Sequence, residues 1–444
     1  MVYSRRKFFG LAGATAAGTL ALSPLQALIA RKAFGQTTTT GYGPLQTDPN
    51  NLLELPQGFQ YRVISRTGDL MADGNPVPNL HDGMAAFQGP RGTTILICNH
   101  EINGTGVTGS RVQVPSDLAY DPLCKGGTTN IVVGSNRQLV KQFASLGGTI
   151  RNCAGGPTPW GSWITCEENI TTPTSGGGRV QSHGFNFEIP ASATGPVEAV
   201  PLIDMGRFNH EAIAVDPKTG YVYETEDRGN GLFYRFIPNV PGKLAEGGTL
   251  QAMVIVGKPS AVNTNNRGSN SGQFAVGQKY SVEWVNIPNP NPTADDVRFQ
   301  GSNLGAAQFS RGEGIWYGNG EIYFAATNGG AIGRGQIWRY IPGDETIDLF
   351  VESESADILK APDNIVVAPF GDIIICEDAS GTNFLRGVTP QGELYTFARN
   401  PFNGSEFAGA CFSPDGQTMF VNIQSPGITV AIWGPWNSRQ GLNS

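Results

Sequence analysis

The chain has 444 residues, with 30 basic and 37 acidic side chains and a formal net charge of −7. This acidic balance excludes nucleic-acid binding through a general electrostatic footprint and suits hard cations instead. With 60 glycines, 30 prolines and only 15% charged residues, the composition argues against a helical protein and predicts an all-β fold.

The N-terminal segment has the features of a cleavable export signal. The pair Arg5 and Arg6 precedes an uncharged, mildly hydrophobic run over 8–30. Paired arginines before such a run are typical of twin-arginine signals. We therefore predict a signal peptide over 1–35, recognition by the twin-arginine export machinery, and a periplasmic or secreted protein over 36–444. An ordinary signal peptide or an N-terminal anchor is the alternative.

The rest of the sequence contains no second apolar run long enough to span a membrane. The first 35 residues hold five basic side chains and no acidic one, so the remaining protein has a net charge of −12. We expect an acidic, monomeric protein without a transmembrane segment after cleavage.

Six segments after the signal repeat one pattern, in which a turn joins two apolar strands. Several of the turns read Pro-x-x-Gly or Pro-Asp-Gly, which are typical of hairpins. The six segments are 82–101, 152–168, 211–226, 313–327, 363–377 and 407–422. Six copies predict a six-bladed β-propeller in which each hairpin forms the inner two strands of a blade. A β-sandwich or an irregular β-solenoid is the alternative.

Acidic residues recur at one end of these hairpins. The second strands run out into His100-Glu101, Glu167-Glu168, Glu226-Asp227 and Glu377-Asp378, and first strands begin at Glu211, Glu313 and Asp363. Antiparallel pairing brings both sets to the same end, which a propeller aims at its central channel. Such a ring of carboxylates would be prohibitive without cations to neutralise it, so the pattern predicts a metal site.

The residue types indicate which metals this site would hold. Carboxylates suit Ca²⁺, whereas a thiolate at Cys166, next to Glu167, would select a transition metal such as iron. On the repeat pattern alone, Cys166 is equally well explained as an apolar strand residue, which is how we interpret Cys98 and Cys376.

Two of the four histidines share the tripeptide Asn-His-Glu, at His100 and His210. They are candidates for metal ligands or for side chains that orient the neighbouring glutamates. The other two, His81 and His183, are interpreted as structural.

Two arginines stand among the predicted carboxylates, Arg228 and Arg311. They could simply balance negative charge, but Arg311 is also suited to bidentate capture of a phosphate. Metals and an arginine around one cavity indicate phosphoryl transfer to water.

Several motifs together resemble the PhoX-type alkaline phosphatase family of exported bacterial metalloenzymes. The longest reads Gly-Gly-Pro-Thr-Pro-Trp-Gly-Ser-Trp-Ile-Thr-Cys-Glu-Glu, and the set comprises 155–168, 207–211 with 225–228, 310–313, 362–364 with 376–378, and 411–416. The resemblance extends from Leu55 to Trp436. It implies a six-bladed propeller that hydrolyses small phosphate monoesters at a paired Fe³⁺ centre with Ca²⁺ ions in the channel.

The resemblance also implies roles for individual residues. It places a cysteine ligand at Cys166, a calcium-side carboxylate at Glu167, metal-binding glutamates at Glu211 and Glu313, and the phosphate-gripping arginine at Arg311. The predicted catalytic residues are therefore Arg311, Cys166 and Glu313. The predicted metal ligands are Cys166, Glu167, Glu211 and Glu313, to which the hairpin pattern adds Glu101, Glu226 and Glu377.

Two other functions fit a carboxylate ring in a propeller. One is a calcium-dependent hydrolase of lactones or phosphotriesters, which would have no use for a cysteine–iron ligand or for Arg311. The other is a non-catalytic binding propeller in which calcium is structural.

Overall fold

The computed structural model describes residues 40–439. The predicted twin-arginine signal lies outside these residues. Within them the regular secondary structure comprises 27 β-strands, short 3₁₀ turns and a single α-helix of seven residues. The predicted all-β fold is confirmed.

The first strands in chain order are β1 (Leu45–Gln46), β2 (Leu55–Pro56), β3 (Gln60–Arg66), β4 (His81–Gln88), β5 (Thr94–His100), β6 (Gly126–Val133), β7 (Leu139–Thr149), β8 (Asn152–Pro157), β9 (Ser162–Glu167), β10 (Asn186–Pro190), β11 (His210–Val215), β12 (Val222–Glu226), β13 (Gly231–Pro238), β14 (Gly248–Ile255) and β15 (Lys279–Asn286). They are followed by α1 (Val297–Asn303), β16 (Gln308–Phe309), β17 (Gly312–Gly318), β18 (Glu321–Ala326), β19 (Gln336–Ile341), β20 (Thr346–Glu352), β21 (Pro362–Val367), β22 (Ile373–Glu377), β23 (Phe384–Val388), β24 (Leu394–Arg399), β25 (Phe407–Phe412), β26 (Met419–Ile423) and β27 (Ile428–Trp433).

Antiparallel pairing gathers the strands into sheets that follow one another along the chain, as in a β-propeller. Strands β4–β7 and β21–β24 form four-stranded sheets, and β8–β10 form a three-stranded one. The last hairpins, β25–β27, take β3 as their fourth strand, so the two ends of the described chain share a sheet. The remaining long sheet has ten strands, because β15 pairs with β20 and joins β11–β15 to β17–β20, and β16 pairs with β13. The predicted propeller arrangement is therefore confirmed, but its blades do not all form separate sheets.

All six predicted hairpins are present, as β4–β5, β8–β9, β11–β12, β17–β18, β21–β22 and β25–β26. Their first strands contact one another in turn, from β4 to β8, β11, β17, β21 and β25, and β25 contacts β4 again.

The first strands approach one another closely because small residues lie where they meet. A Cβ atom on Gly83 would lie 2.5 Å from the Cα of Ala154, and one on Gly314 would lie 2.6 Å from the Cα of Asn364. The six strands enclose a central cavity of only about 20 Å³, which is enough for about one water molecule. The first strands therefore leave little free space where they meet.

Each first strand carries a β-bulge near its beginning. The pairing shifts between His81 and Met84, Asn152 and Gly155, His210 and Ile213, Gly312 and Ile315, Pro362 and Ile365, and Ala408 and Cys411. A bulge re-aims the side chain that it contains. The first bulged residues are Asp82, Cys153, Glu211, Glu313, Asp363 and Gly409. One structural device, repeated six times, thus presents four carboxylates and one thiol, whereas the sixth bulge begins with Gly409.

Apolar side chains fill the space between adjacent sheets; Trp163, Trp338 and Phe236 are among the largest that are fully buried. All six cysteines are buried, and none of them forms a disulfide. Within 40–439, no helix is long and apolar enough to cross a membrane.

Candidate metal centre

Nine carboxylates and one thiol converge at the end of the hairpins where the bulges lie. We call this set the acidic cluster; its members are Asp82, Glu101, Cys153, Glu168, Glu211, Asp227, Glu313, Asp363, Asp378 and Glu406. It contains four overlapping trios whose ligand atoms lie within 4.8 Å of one another: Cys153–Glu168–Glu211, Glu211–Glu313–Asp363, Asp82–Glu101–Glu406 and Asp363–Asp378–Glu406. Asp227 joins through its charge interactions with Glu211 and Glu313. Five of the six hairpins contribute the first residue of their bulge, and Glu406 comes directly before β25 of the sixth.

Two arginines form ion pairs with the acidic cluster among the described residues. The Nε atom of Arg151 lies 2.9 Å from Glu101 Oε1, and its Nη2 atom lies 2.9 Å from Glu168 Oε2. Arg311 pairs with Asp227 and Glu313 at 2.7 and 2.9 Å. Two guanidinium groups cannot neutralise nine carboxylates, so the others have to be balanced by protons or by bound cations.

The pKa values of the cluster carboxylates reflect this excess of negative charge. Burial is the main cause that raises the pKa of Glu168 to about 9, and repulsion from Asp227 adds to it against the attraction of Arg151. Burial and repulsion from Asp378 raise the pKa of Asp363 to about 8. Burial, followed by repulsion from neighbouring carboxylates, places the pKa of Glu211 well above its usual range. Closely spaced oxygen donors that resist ionisation are the arrangement that bound cations stabilise, so these residues fit a metal centre.

Cys153 adds a soft donor to these oxygens. Its side chain is 5% exposed and lies within 4.8 Å of the ligand atoms of Glu168 and Glu211. Burial and repulsion from Glu211 raise the pKa of its thiol well above the usual range, so a thiolate at this position requires a bound cation. A thiolate among carboxylates favours a transition metal over calcium.

Of the residues that the sequence predicts as ligands, the structure brings Glu101, Glu211 and Glu313 into the acidic cluster. It does not bring Cys166 there. Cys166 lies on β9 opposite the bulge that contains Cys153, and it packs in the apolar core with Ile164 and Ile213.

Glu167, Glu226 and Glu377 are also absent from the acidic cluster, because each lies one residue before a cluster member. Successive side chains of a strand point to opposite faces, and these three face the surrounding sheet. Glu167 accepts a hydrogen bond from His183 Nδ1 at 2.7 Å. Glu226 accepts one from the Tyr234 hydroxyl at 2.7 Å, and Glu377 pairs with Arg386 at 2.9 Å.

The histidines of the Asn-His-Glu tripeptides are buried outside the acidic cluster. His100 bonds the Asn79 carbonyl and the Thr129 hydroxyl, each at 3.0 Å. Nδ1 of His210 lies 3.2 Å from Glu224 Oε2, and its Nε2 forms a hydrogen bond with the Gly206 carbonyl. Both rings are held by such contacts, which is a structural role.

Arg311 lies at the edge of the acidic cluster in a conformation that its surroundings impose. Its φ of 56° is in the left-handed region, which is unusual for a side chain of this size. Nε and Nη2 donate to the two oxygens of Asp227 at 2.7 and 2.8 Å, and Nη2 also donates to Glu313 at 2.9 Å. The side chain remains 41% exposed, and within 40–439 its Nη1 group makes no hydrogen bond. The guanidinium is thus fixed on one side and available on the other.

Arg228, the other predicted arginine, contacts the acidic cluster only through another side chain. It donates to Asn209 Oδ1 at 3.0 Å and lies 3.4 Å from Asp295. Asn209 in turn donates to Glu168 at 3.0 Å. Arg228 therefore supports the acidic cluster through Asn209.

The predicted ligands do not include Asp82, Cys153, Glu168, Asp227, Asp363, Asp378 and Glu406, although the hairpin pattern places Glu168, Asp227, Asp363 and Asp378 in the predicted ring of carboxylates. No role is predicted for Arg151. The repeated sequence pattern could have identified some of the omitted residues. In five hairpins the first bulged residue directly follows the first residue of the strand, as His81-Asp82, Asn152-Cys153, His210-Glu211, Gly312-Glu313 and Pro362-Asp363. Aligning these pairs places Cys153, rather than Cys166, at the position of Glu211.

A comparison with known proteins supports one family. The sequence profile described as alkaline phosphatase PhoX matches residues 40–427. Among solved structures, the chain is similar to Pseudomonas fluorescens PhoX in complex with vanadate, a transition state analogue. The two are 19% identical with a TM-score of 0.68, over 90% of this chain and 98% of that one.

The chain is also similar to XC5397, a gluconolactonase from Xanthomonas campestris, with 11% identity and a TM-score of 0.47 over 89% of this chain and 99% of that one. That likeness is too low to support any argument. No curated protein sequence matches the chain. The profile match covers most of the chain and confirms the predicted phosphatase class. The chain belongs to the alkaline phosphatase PhoX family.

Proposed function

We propose that this protein is an exported, metal-dependent phosphatase that hydrolyses small phosphate monoesters at the acidic cluster. The observation that carries the proposal is the convergence of nine carboxylates and one thiol beside the half-exposed guanidinium of Arg311. A site that combines cations with an available arginine is suited to the charge of a phosphate group.

The proposed ligands divide by chemistry. The trio of Cys153, Glu168 and Glu211 combines a thiol with carboxylates and would hold iron, as Fe³⁺. The trios around Asp363, which contain only carboxylates, would hold Ca²⁺. Bound cations would neutralise charge on the phosphate group and lower the pKa of a water molecule that attacks phosphorus. In this proposal Cys153 replaces Cys166 as the soft ligand.

Arg311 would hold the substrate. Because Asp227 accepts from both Nε and Nη2, the plane of the guanidinium is fixed before a substrate arrives. The Nη1 group can then donate to a phosphate oxygen without a large loss of side-chain entropy. The left-handed backbone at Arg311 is the kind of strain that persists where surrounding contacts over-determine a functional residue.

Arg151 would orient carboxylates on the other side of the cluster. It also has a left-handed φ, of 52°, and it precedes Cys153 by two residues, as Arg311 precedes Glu313. Its contacts with Glu101 and Glu168 link two hairpins. With 39% of its side chain exposed, it can also contribute positive charge towards a bound anion.

We also propose that the protein is a single six-bladed propeller domain over 36–444. The closed series of contacts among six first strands supports this count. The ten-stranded sheet would then be two blades, β11–β14 and β17–β20, linked by β15.

The proposed location is the periplasm or the exterior, reached by the twin-arginine route as a monomer. Arg5 and Arg6 support the route, although they lie outside the described residues. A centre assembled from six hairpins exists only in the folded chain, and a route for folded cargo would allow iron to be loaded before export.

The test is elemental analysis of the purified protein, coupled to hydrolysis of p-nitrophenyl phosphate. We expect iron and calcium in the protein, hydrolysis that chelation abolishes, and recovery when both metals return. A lactone and a phosphotriester are assayed in parallel. Calcium without iron, together with faster turnover of either of these, would overturn the proposal.

A further inference from the structure

A second group of metal-ligating side chains lies outside the acidic cluster, and the proposed phosphatase reaction does not use it. Asp121 and Cys124 belong to the segment between β5 and β6, and His183 belongs to the segment between β9 and β10. All three side chains are completely buried, and their ligand atoms lie within 4.8 Å of one another.

The distances within this group match those between ligands of one metal ion. His183 Nε2 lies 3.4 Å from Cys124 Sγ and 3.6 Å from Asp121 Oδ2. In a tetrahedral zinc site, with bonds of about 2.0 Å to nitrogen or oxygen and about 2.3 Å to sulfur, those separations are about 3.5 and 3.3 Å. A single ion therefore fits between the three side chains with little movement.

The imidazole is also oriented as a ligand would be. His183 Nδ1 lies 2.7 Å from Glu167 Oε1, so Nε2 faces the thiol and the second carboxylate. Glu167 is itself fixed by backbone N–H groups of Ile150 and Gly184, at 3.0 and 2.8 Å. A carboxylate behind a histidine is the usual arrangement that fixes the ring of a metal-bound imidazole.

From this geometry we infer that Asp121, Cys124 and His183 bind a transition-metal ion of the zinc class, in a structural site separate from the acidic cluster. Thiolate and imidazole together favour zinc over calcium. Asp121 would supply Oδ2, and its carboxylate is held in place by the backbone N–H groups of Leu123, Val180 and Gln181.

The surroundings suit positive charge at this point. His183 Nε2 faces the Cys124 thiol and the Asp121 carboxylate, and its Nδ1 faces Glu167. The charge can be a proton on the imidazole or a metal ion, and the neighbouring thiol favours the metal. A bound ion would tie together the segments that follow β5 and β9, next to Glu101 and Glu168 of the acidic cluster.

The test uses the full chain, stripped with a chelator and reloaded with Zn²⁺ or Co²⁺ alone. We expect the wild-type protein to bind one equivalent more than Cys124→Ser, and Cys153→Ser to retain that equivalent. The Co²⁺ form of Cys153→Ser should show a thiolate charge-transfer band that the double variant Cys124→Ser/Cys153→Ser lacks. Cys411→Ser, another buried cysteine, is the matched control and should keep both the equivalent and the band.

A second variant and anomalous diffraction test the same site independently. If Cys124→Ser does not fold, Asp121→Asn replaces it, and loss of the same equivalent supports the site. Anomalous diffraction at the zinc edge should show a peak between Cys124 Sγ and His183 Nε2. Equal metal content in the wild-type protein and in the folded variant, or the absence of that peak after zinc loading, would mean that the group holds only a proton.

Discussion

Adjacent acidic residues at the ends of β9, β12 and β22 have opposite environments. In the pairs Glu167-Glu168, Glu226-Asp227 and Glu377-Asp378, the first residue meets a donor or cation of its own sheet, and the second joins the acidic cluster. We call the first residues anchors. Each anchor has a partner in its own sheet, whereas the nine carboxylates of the cluster share two arginines, Arg151 and Arg311.

This difference shows how a rigid fold can hold a group of like charges. The anchors fix the strand ends through buried contacts, as Glu377 does with Arg386. The neighbouring carboxylates are thereby held close together although they repel one another. We therefore expect substitutions of anchors to affect stability first, and substitutions in the cluster to affect metal content and activity first.

The largest expected effect is on stability, at Glu377. Glu377→Ala leaves the buried guanidinium of Arg386 without its partner, and we expect the free energy of unfolding to fall by about 3–5 kcal/mol. Asp378→Ala, in chelated protein, removes repulsion from the cluster and should cost little. Urea denaturation of both variants without metal measures the difference. Equal destabilisation by the two substitutions would contradict the distinction between anchor and cluster.

The next effect concerns the two cysteines that face each other across β8 and β9. Cys153→Ser should lose bound iron and lower phosphatase activity by about 100-fold, as losses at metal sites commonly do. Cys166→Ser changes a residue of the apolar core and should keep iron at the wild-type level. Iron content and initial rates are measured on the same preparations. Loss of iron only in Cys166→Ser would return the ligand role to that residue.

Several features of this protein are readable from local patterns. Turn chemistry and strand alternation identify all six hairpins, and the acidic residues at their ends identify the metal-binding end. Local patterns do not show which of Glu167 and Glu168 joins the acidic cluster, because both are glutamates. The outcome depends on the pairing register of β8 and β9, in which Glu167 lies opposite Asn152 and the bulge of β8 begins after Asn152.

Other features depend on contacts between distant parts of the chain. The ten-stranded sheet exists because Lys279–Ser281 pair with Thr346–Asp348, in strands that the hairpin pattern does not connect. The loop group of Asp121, Cys124 and His183 likewise joins residues from separate blades. His183 has no neighbouring motif in the sequence, so the sequence alone indicates only a structural role for it.

A smaller effect separates the two arginines near the cluster. Arg311→Lys keeps the charge but loses the planar fork that Asp227 holds, so we expect inhibition by inorganic phosphate to weaken by about 10-fold, the equivalent of one charged hydrogen bond. Arg228→Lys is the control, because Arg228 contacts Asn209 and Asp295 instead. The measurement is the inhibition constant of inorganic phosphate for both variants at equal metal content. Unchanged phosphate inhibition in Arg311→Lys would remove that residue from substrate binding.

The smallest effect is a pH dependence that only the metal-free protein should show. Folding raises the pKa of Asp363 to about 8 and of Glu168 to about 9, from about 4 in an unfolded chain. The folded state therefore binds these protons more tightly, so the stability they confer is complete below about pH 4 and is lost as the pH rises towards 8 and 9. Between pH 7 and 8 we expect the melting temperature of chelated protein to fall by a few °C, and that of metal-loaded protein to stay nearly constant. Because the anchors keep their partners in both forms, a parallel fall in the two melting curves would show that the acidic cluster does not need cations.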